Sequence, residues 1–341
     1  MPERPVTFAV LSPARWARLL MDSVADSPML EFGGVWSRSE RNCNETVAAY
    51  GGRAYESYEA LLADEAIEAV VLPTPHFLHY PQTMAALEAG KHVFVEKPIA
   101  NTVEEAAAMH AKSRECGLVL SVGLQLRRTG GARKAKAMIE GGELGELAVV
   151  RGALGATLVP QYSKDDWEQV PEKCPGGPLD NLAVHYIDVM QYLIGPVRRV
   201  CGFTSDRMSL SSVPSMATFA LEFENGVLGT FTTHQVSAYV SEVSIYGDKG
   251  VLHFKRAGQE LLFQEILDPV RAKHMTPSIE TVAFEGPHPH STALTAELED
   301  FARCIRNGGQ PEVGAPEGII SLKVIRAVME AAASGRTVEI D

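Results

Sequence analysis

Gly90-Lys91-His92-Val93-Phe94-Val95-Glu96-Lys97-Pro98 is the run on which the architecture turns. Its apolar part, Val93-Phe94-Val95, is too short for a helix and reads as a buried strand. Gly90 closes the helical-looking residues 80–89, in which Pro81 suits a first helical turn. Glu96 and Lys97 then fall where a strand leaves its sheet. Ligands in open parallel sheets bind just beyond the carboxyl ends of the strands, so the charged pair has two readings: a ligand crevice, or a surface ion pair capping a strand.

Toward both sides of that run, strand-like and helix-like segments alternate. Residues 6–11, 30–36, 68–72, 92–95 and 118–122 are strand-like, and residues 15–24, 44–50, 58–63 and 80–89 are helical. Thr102-Val103-Glu104-Glu105 fits a capping box that opens a further helix, ended by Gly117. The alternation predicts an α/β Rossmann-type doubly wound parallel sheet, a dinucleotide-binding domain over residues 1–123.

A nucleotide belongs at the first strand-to-helix turn, where Gly-x-Gly-x-x-Gly lets the backbone approach a pyrophosphate at a helix N-terminus. Here the turn is Ser12-Pro13-Ala14-Arg15-Trp16-Ala17, with small residues at the three glycine positions and no N–H at Pro13. Small side chains still admit a fairly close approach, the Ser12 hydroxyl can donate to phosphate, and Arg15 can neutralise it. Ser12, Ala14, Arg15 and Trp16 are therefore cofactor candidates, against the alternative of an ordinary packed turn. Ser37-Arg38-Ser39 ends the second strand with no carboxylate to accept from a ribose 2′-hydroxyl. Ser37 and Arg38 favour the 2′-phosphate of NADP over NAD.

Composition narrows the classes. A chain of 341 residues exceeds the size of one core, so two domains are expected. The formal net charge of -12, broken only by short basic pieces such as Arg133-Lys134-Ala135-Lys136, argues against nucleic acid and against an anionic membrane. The N-terminal residues enter a strand-like run without a long apolar segment, so a cytoplasmic location is expected. Cys43, Cys116, Cys174, Cys201 and Cys304 are odd in number and widely spaced, indicating neither a disulfide framework nor a zinc site. His288-Pro289-His290 has no Cys or carboxylate company, and no metal is expected.

Beyond residue 123 the pattern changes. A basic amphipathic segment runs to Ile139, and strand-like runs follow over residues 147–153, 197–203, 217–223, 227–233, 240–246 and 251–254. Ala217, Phe219, Leu221 and Phe223 alternate with Thr218, Ala220 and Glu222, as in a sheet with one covered face. Glu224-Asn225-Gly226 and Gly247-Asp248-Lys249-Gly250 are hairpin signals. The expectation is an α+β domain over residues 124–341 with a large, mostly antiparallel open sheet, used for substrate binding and self-association as a homodimer or homotetramer. Residues 270–289 read as irregular loop and edge strand, and residues 294–306 and 319–333 as helices.

Pro175-Gly176-Gly177-Pro178 leads into a helix on which Asn181, His185 and Asp188 share a narrow stripe. His185 can move a proton near neutral pH, as alcohol-to-ketone chemistry requires. A buried structural pair of His185 and Asp188 is the alternative. Gln125, Arg127, Arg128 and Tyr162 are substrate-cleft candidates by position, and the arginines suggest an acidic group on the substrate or, equally, a solvated helix start.

The run from Val70-Val71-Leu72-Pro73-Thr74-Pro75-His76-Phe77-Leu78-His79 through Ala89-Gly90-Lys91-His92 to Glu96-Lys97-Pro98 resembles the signature of the Gfo/Idh/MocA family of glucose-fructose oxidoreductase and inositol dehydrogenase. The similarity reaches Ser334-Gly335-Arg336-Thr337-Val338, which resembles the family's closing helix-to-strand turn. What it implies is a two-domain NAD(P)-dependent oxidoreductase with Lys97 as active-site lysine. Pro73, Thr74, Pro75, His76 and His79 would lie along the cofactor, as would Glu96, Lys97 and Gln125, with a capping or packing role as the alternative for His79. The 176–185 stretch is similar to the family's Gly-Gly, Asp-x-x-x-His segment, which implies His185 as proton donor or acceptor with Lys97 as its partner. Trp167 resembles a family tryptophan near the nicotinamide. Asn181 stands where the family usually has aspartate, and Asp180 lies ~140° around a regular helix from His185.

Together these readings describe an NADP(H)-preferring, metal-free oxidoreductase passing a hydride to or from a secondary alcohol or ketone of a sugar, cyclitol or related polyhydroxy compound. Lys97 and His185 are the expected catalytic residues, with Gln125, Arg127, Tyr162, Trp167 and Asn181 at the substrate. The alternatives are a non-catalytic cofactor-sensing regulator or assembly protein, and a tightly NAD(P)-bound enzyme of glycoside cleavage or epimerisation with no net redox change.

Overall fold

The computed structural model describes residues 4–266, 279–284 and 292–341. The chain begins β1 (Val6–Leu11), α1 (Arg15–Val24), β2 (Leu30–Trp36), α2 (Glu40–Tyr50), β3 (Arg53–Ala54), α3 (Tyr58–Leu62) and β4 (Ala69–Leu72). It continues through α4 (His76–Glu88), β5 (His92–Glu96), α5 (Val103–Cys116), β6 (Leu120–Gly123), α6 (Gly130–Glu140), β7 (Leu147–Thr157) and α7 (Val184–Ile194). The strands β8 (Val197–Ser205), β9 (Met216–Phe223), β10 (Leu228–His234), β11 (Val236–Gly247), β12 (Gly250–Lys255), β13 (Glu260–Glu265) and β14 (Glu280–Thr281) precede α8 (Thr292–Asn307), α9 (Ala315–Ser334) and β15 (Val338–Glu339). Two compact units result, Met1–Leu124 with His290–Leu322, and Gln125–Pro289 with Lys323–Asp341.

In the first unit a six-stranded parallel sheet has the order β3-β2-β1-β4-β5-β6. Strands covered on both faces need apolar side chains at successive positions, and every residue of Ala69–Leu72 is buried, as are Val93, Phe94 and Val95. Helix α1 presents Ala17, Leu20, Met21 and Val24 to this core. Helix α8 adds Leu294, Leu298 and Phe301, with Phe301 edge-on to Phe94 at 6.0 Å. Arg306 at the end of α8 reaches both Glu68 carboxylate oxygens at 2.8 Å, and its guanidinium lowers the Glu68 carboxyl to about 2. Residues 292–322, expected within a 124–341 domain, thus group with the first unit because the apolar face of α8 completes its core. Helix α4 also differs from expectation: it starts at His76, so Pro81 lies inside the helix, where it has no N–H to give the ladder.

The second unit is built on a nine-stranded sheet of order β14-β13-β12-β11-β7-β10-β9-β8-β15, with β7 and β10 parallel and the other neighbours antiparallel. Ala217, Phe219, Leu221 and Phe223 face inward, as the alternation predicts. Tyr186 of α7 packs on the same face, 5.8 Å from the Phe231 ring and 6.0 Å from that of Phe254. The opposite face leaves Phe203 79% and Leu228 54% exposed, beside Val149 and Thr218. Strands β3 and β13 have no counterpart in the sequence reading, whereas β15 follows α9 where the closing helix-to-strand turn is expected, and of the 270–289 stretch only the edge strand β14 and its neighbours at 279–284 are described. His288-Pro289-His290 lies outside the described residues. Among the described residues, no helix is long and apolar enough to cross a membrane.

Candidate functional site

Site-forming residues of the first unit lie at the carboxyl ends of its strands. After β1, Ser12 adopts φ +51°, the left-handed conformation that glycine ordinarily supplies, while its N–H donates to the Trp36 carbonyl at 2.9 Å. The turn therefore forms without the glycine, at a cost in backbone strain of about 1 kcal/mol. Ala14 caps α1 with no side-chain hydrogen bond, the first turn carries no acidic residue, and Ala14 and Arg15 are exposed. A helix end with that character suits an anion.

At the end of β2, Ser37 Oγ accepts from the Ser39 N–H and Ser39 Oγ caps α2 at Asn42, so both hydroxyls shape the loop. Arg38 is exposed. A cleft of about 410 Å³ runs along the exposed side of α1, lined by Pro13, Ala14, Arg15, Arg18, Leu19 and Asp22, with Asn42 of α2 at its edge.

After β4, Thr74 is buried and its hydroxyl donates to Gln82 Oε1 at 2.7 Å. His76 is buried, with its ring 5.8 Å from that of His79. His79 is fully enclosed, with Nδ1 2.8 Å from the Pro98 carbonyl and Nε2 2.8 Å from that of Thr74. Both nitrogens thus face the backbone, and of its two expected roles this geometry fits packing, not direct cofactor contact. Pro73 and Pro75 are half-buried on the same loop.

Beyond β5, Glu96 is buried, accepting from the Trp16 indole N–H at 2.5 Å and from the Lys97 N–H at 3.2 Å. Trp16 therefore anchors the carboxylate. A Cβ on Gly123, at the end of β6, would come within 2.8 Å of Glu96 Oε1, so glycine there makes the room. Sequence reasoning missed Gly123, though a glycine ending a strand is the available signal. Burial raises the Glu96 carboxyl above its ordinary range, while the Lys97 ammonium and the indole oppose that. Lys97 follows directly, half-buried, and the Lys97-Pro98 peptide is cis.

In the second unit, Gln125 and Arg128 are buried on the short 3-10 turn Gln125–Arg128. Arg127, expected at the substrate, instead grips Asp188: Nε lies 2.9 Å from Oδ2 and Nη2 contacts Oδ1. Their side chains are 11% and 1% exposed. The local stripe pairs Asp188 with His185, and a partner 61 positions away carried no signal in the sequence.

The helix carrying His185 is entered through a wide π-type turn, Leu179–Ala183. Its geometry is irregular, but Asp180 is engaged elsewhere: Gly176 N–H donates to Oδ2 at 2.7 Å and Arg326 Nη1 to Oδ1 at 2.8 Å. The glycine pair has two separate reasons. A Cβ at Gly176 would sit 2.8 Å from the Asp180 carboxylate, and Gly177, at φ +52°, would meet the Pro214 carbonyl at 2.1 Å. Asn181 Nδ2 reaches Cys174 Sγ at 3.9 Å, and His185 is half-buried on the first turn of α7. Tyr162 and Trp167 lie half-buried on the segment after β7, where burial pushes the Tyr162 phenol up.

Two family models match the chain. Residues 14–124 match the oxidoreductase family's NAD-binding Rossmann fold, and residues 136–340 its C-terminal alpha/beta domain. The chain is 28% identical to 1,5-anhydro-D-fructose reductase of Ensifer adhaerens over 85% of each protein. It is 27% identical to scyllo-inositol 2-dehydrogenase (NAD(+)) of Bacillus subtilis strain 168, over 84% of this chain and 81% of that one. Aldose-aldose oxidoreductase from Caulobacter crescentus, solved as a complex with glycerol, superposes with a TM-score of 0.88 at 25% identity over 98% of this chain and 100% of that one.

Proposed function

The chain belongs to the Gfo/Idh/MocA oxidoreductase family, and from that premise we propose that it interconverts a secondary alcohol and ketone of a sugar, cyclitol or related polyhydroxy compound with NADP(H) as preferred cofactor. One observation carries most of the weight: Lys97 leaves the carboxyl end of β5 directly after a glutamate that Trp16 and the space at Gly123 hold in place. An ammonium leaving that strand end is suited to stabilise a developing alkoxide. The sugar and cyclitol relatives support the substrate class.

The nucleotide fits the residues present. The open N-terminal end of α1 would take the pyrophosphate with Ser12 and Arg15, and Arg38 a 2′-phosphate. When bound, the nicotinamide supplies or accepts the hydride. Lys97 and His185 share the work of orienting the reacting oxygen and moving its proton, and Asn181 hydrogen-bonds a substrate hydroxyl without lending charge to the histidine. An inositol relative named for NAD(+) makes Ser37-Arg38-Ser39 the main support for the phosphorylated cofactor. Association as a homodimer or homotetramer through the open sheet face bearing Phe203 and Leu228 belongs to the same reading. Light scattering of the purified protein tests it, and a monomer at all concentrations removes it.

The deciding experiment is calorimetric titration of cofactor-stripped protein with NADPH, NADP, NADH and NAD, repeated on Arg38→Ala. In the parent the phosphorylated pair binds more tightly. The substitution weakens NADPH binding by about 10–100-fold, the worth of one or two charge-assisted hydrogen bonds, and leaves NADH binding within about threefold. No binding of any of the four overturns the proposal.

A further inference from the structure

His79 has both ring nitrogens on backbone carbonyls from two separate segments and is 0% exposed. Carbonyl oxygens only accept, whereas a neutral imidazole has one N–H to give. Burial, reinforced by the Lys97 ammonium, pulls the ring down to about 4 against the two carbonyls, so near neutral pH it carries a single proton. The two contacts are equally short, so the two placements of that proton differ in which segment the ring holds by a true hydrogen bond. The Thr74 segment has independent anchors: the Thr74 hydroxyl donates to Gln82, and the Pro75 carbonyl accepts from the Leu78 N–H at 2.9 Å. The Pro98 segment is held on its other side by the Lys97 N–H on Glu96 at 3.2 Å, but Pro98 has no N–H of its own, and the segment carries Lys97.

We infer that His79 is a positioning residue whose Nδ1–H donates to the Pro98 carbonyl and so fixes the turn that aims Lys97. The consequence for catalysis rests on the role proposed above for Lys97; the clamp itself does not. Asparagine places its amide nitrogen near the site of Nδ1 and glutamine near that of Nε2, so two substitutions separate the two contacts. His79→Asn retains a donor toward Pro98, His79→Gln retains one toward Thr74, and His79→Leu retains neither.

Each full-length variant is taken through amide hydrogen exchange of the peptide covering residues 96–100, calorimetry with NADPH, and turnover of 1,5-anhydro-D-fructose and scyllo-inositol. In His79→Gln and His79→Leu, exchange of that peptide speeds up about tenfold and kcat falls at least tenfold, with NADPH affinity within threefold of the parent. His79→Asn stays near the parent in all three. Unchanged exchange in His79→Leu overturns the inference. So does an equal loss across all three variants that tracks a lowered melting temperature, which is the mark of a merely structural histidine. A fully active Lys97→Met sinks the role of the lysine instead, and the exchange measurement then judges the clamp alone.

Discussion

Lys97→Met is expected to lower kcat by about 10²–10⁴-fold, the range for loss of a positioned acid-base group, with NADPH affinity kept within about threefold. Methionine fills much the same volume, so the change removes charge and little packing. Glu96 supplies an independent readout on the same variant. Burial raises its carboxyl, and the Lys97 ammonium is the largest influence in the other direction. A carboxyl raised by folding lends stability that is complete below its unfolded pKa and lost as pH rises through the folded one. Without the ammonium the folded value climbs further, and that loss grows. The melting temperature of Lys97→Met should thus match the parent near pH 4 and fall increasingly below it toward pH 8. Parent-like kcat on 1,5-anhydro-D-fructose and scyllo-inositol, under conditions where the parent turns over, would remove Lys97 from catalysis. A pH-independent melting difference would show that the ammonium and the buried carboxyl do not interact.

Legibility followed the range of the interaction. The bounds of β1, α1 and β2 are readable because apolar runs and their breakers lie within a few residues of one another. The covered face of β9 is readable from its alternation alone. Helix α8 is equally visible as a helix, but nothing in Leu294, Leu298 and Phe301 says which core receives them, so its return to the first unit is invisible locally. The nucleotide turn shows a different limit. A scan for three glycines fails at Ser12, yet the backbone there adopts the conformation the glycine would have taken. What the motif encodes is a backbone angle and a small side chain, and serine meets both at some cost.

The candidate site divides in the same way. Glu96 and Lys97 were legible because strand end and charge are adjacent in sequence. The support beneath them, Trp16 from one turn and Gly123 from the end of another strand, is legible only in three dimensions. The π-type turn before α7 has no local signature. It matters because it removes the regular helical geometry on which the placement of Asp180 was reasoned, while Arg326 and Gly176 supply the contacts that fix that carboxylate.

Arg127→Ala is expected to cost about 3–5 kcal/mol of stability, because it leaves Asp188, 1% exposed, as a buried charge without its bidentate partner. In a chain of this size that lowers the melting temperature by about 4–7 °C. The cost of breaking such a pair is mostly that of stranding the remaining ion, not the net worth of the pair. Arg127→Met with Asp188→Leu should therefore recover most of the loss, since neither charge is then left behind. Arg127 also lies over the Tyr192 ring, 5.4 Å from its centroid, a contact the double variant does not restore, so recovery should be incomplete. The result separates the two readings of this arginine. An anchor for an acidic substrate group would raise KM in Arg127→Ala and leave the melting temperature almost unchanged, and the double variant would inherit the raised KM. A structural pair predicts the reverse: a large thermal loss in the single variant, rescue in the double, and KM on a neutral polyol close to the parent's in both.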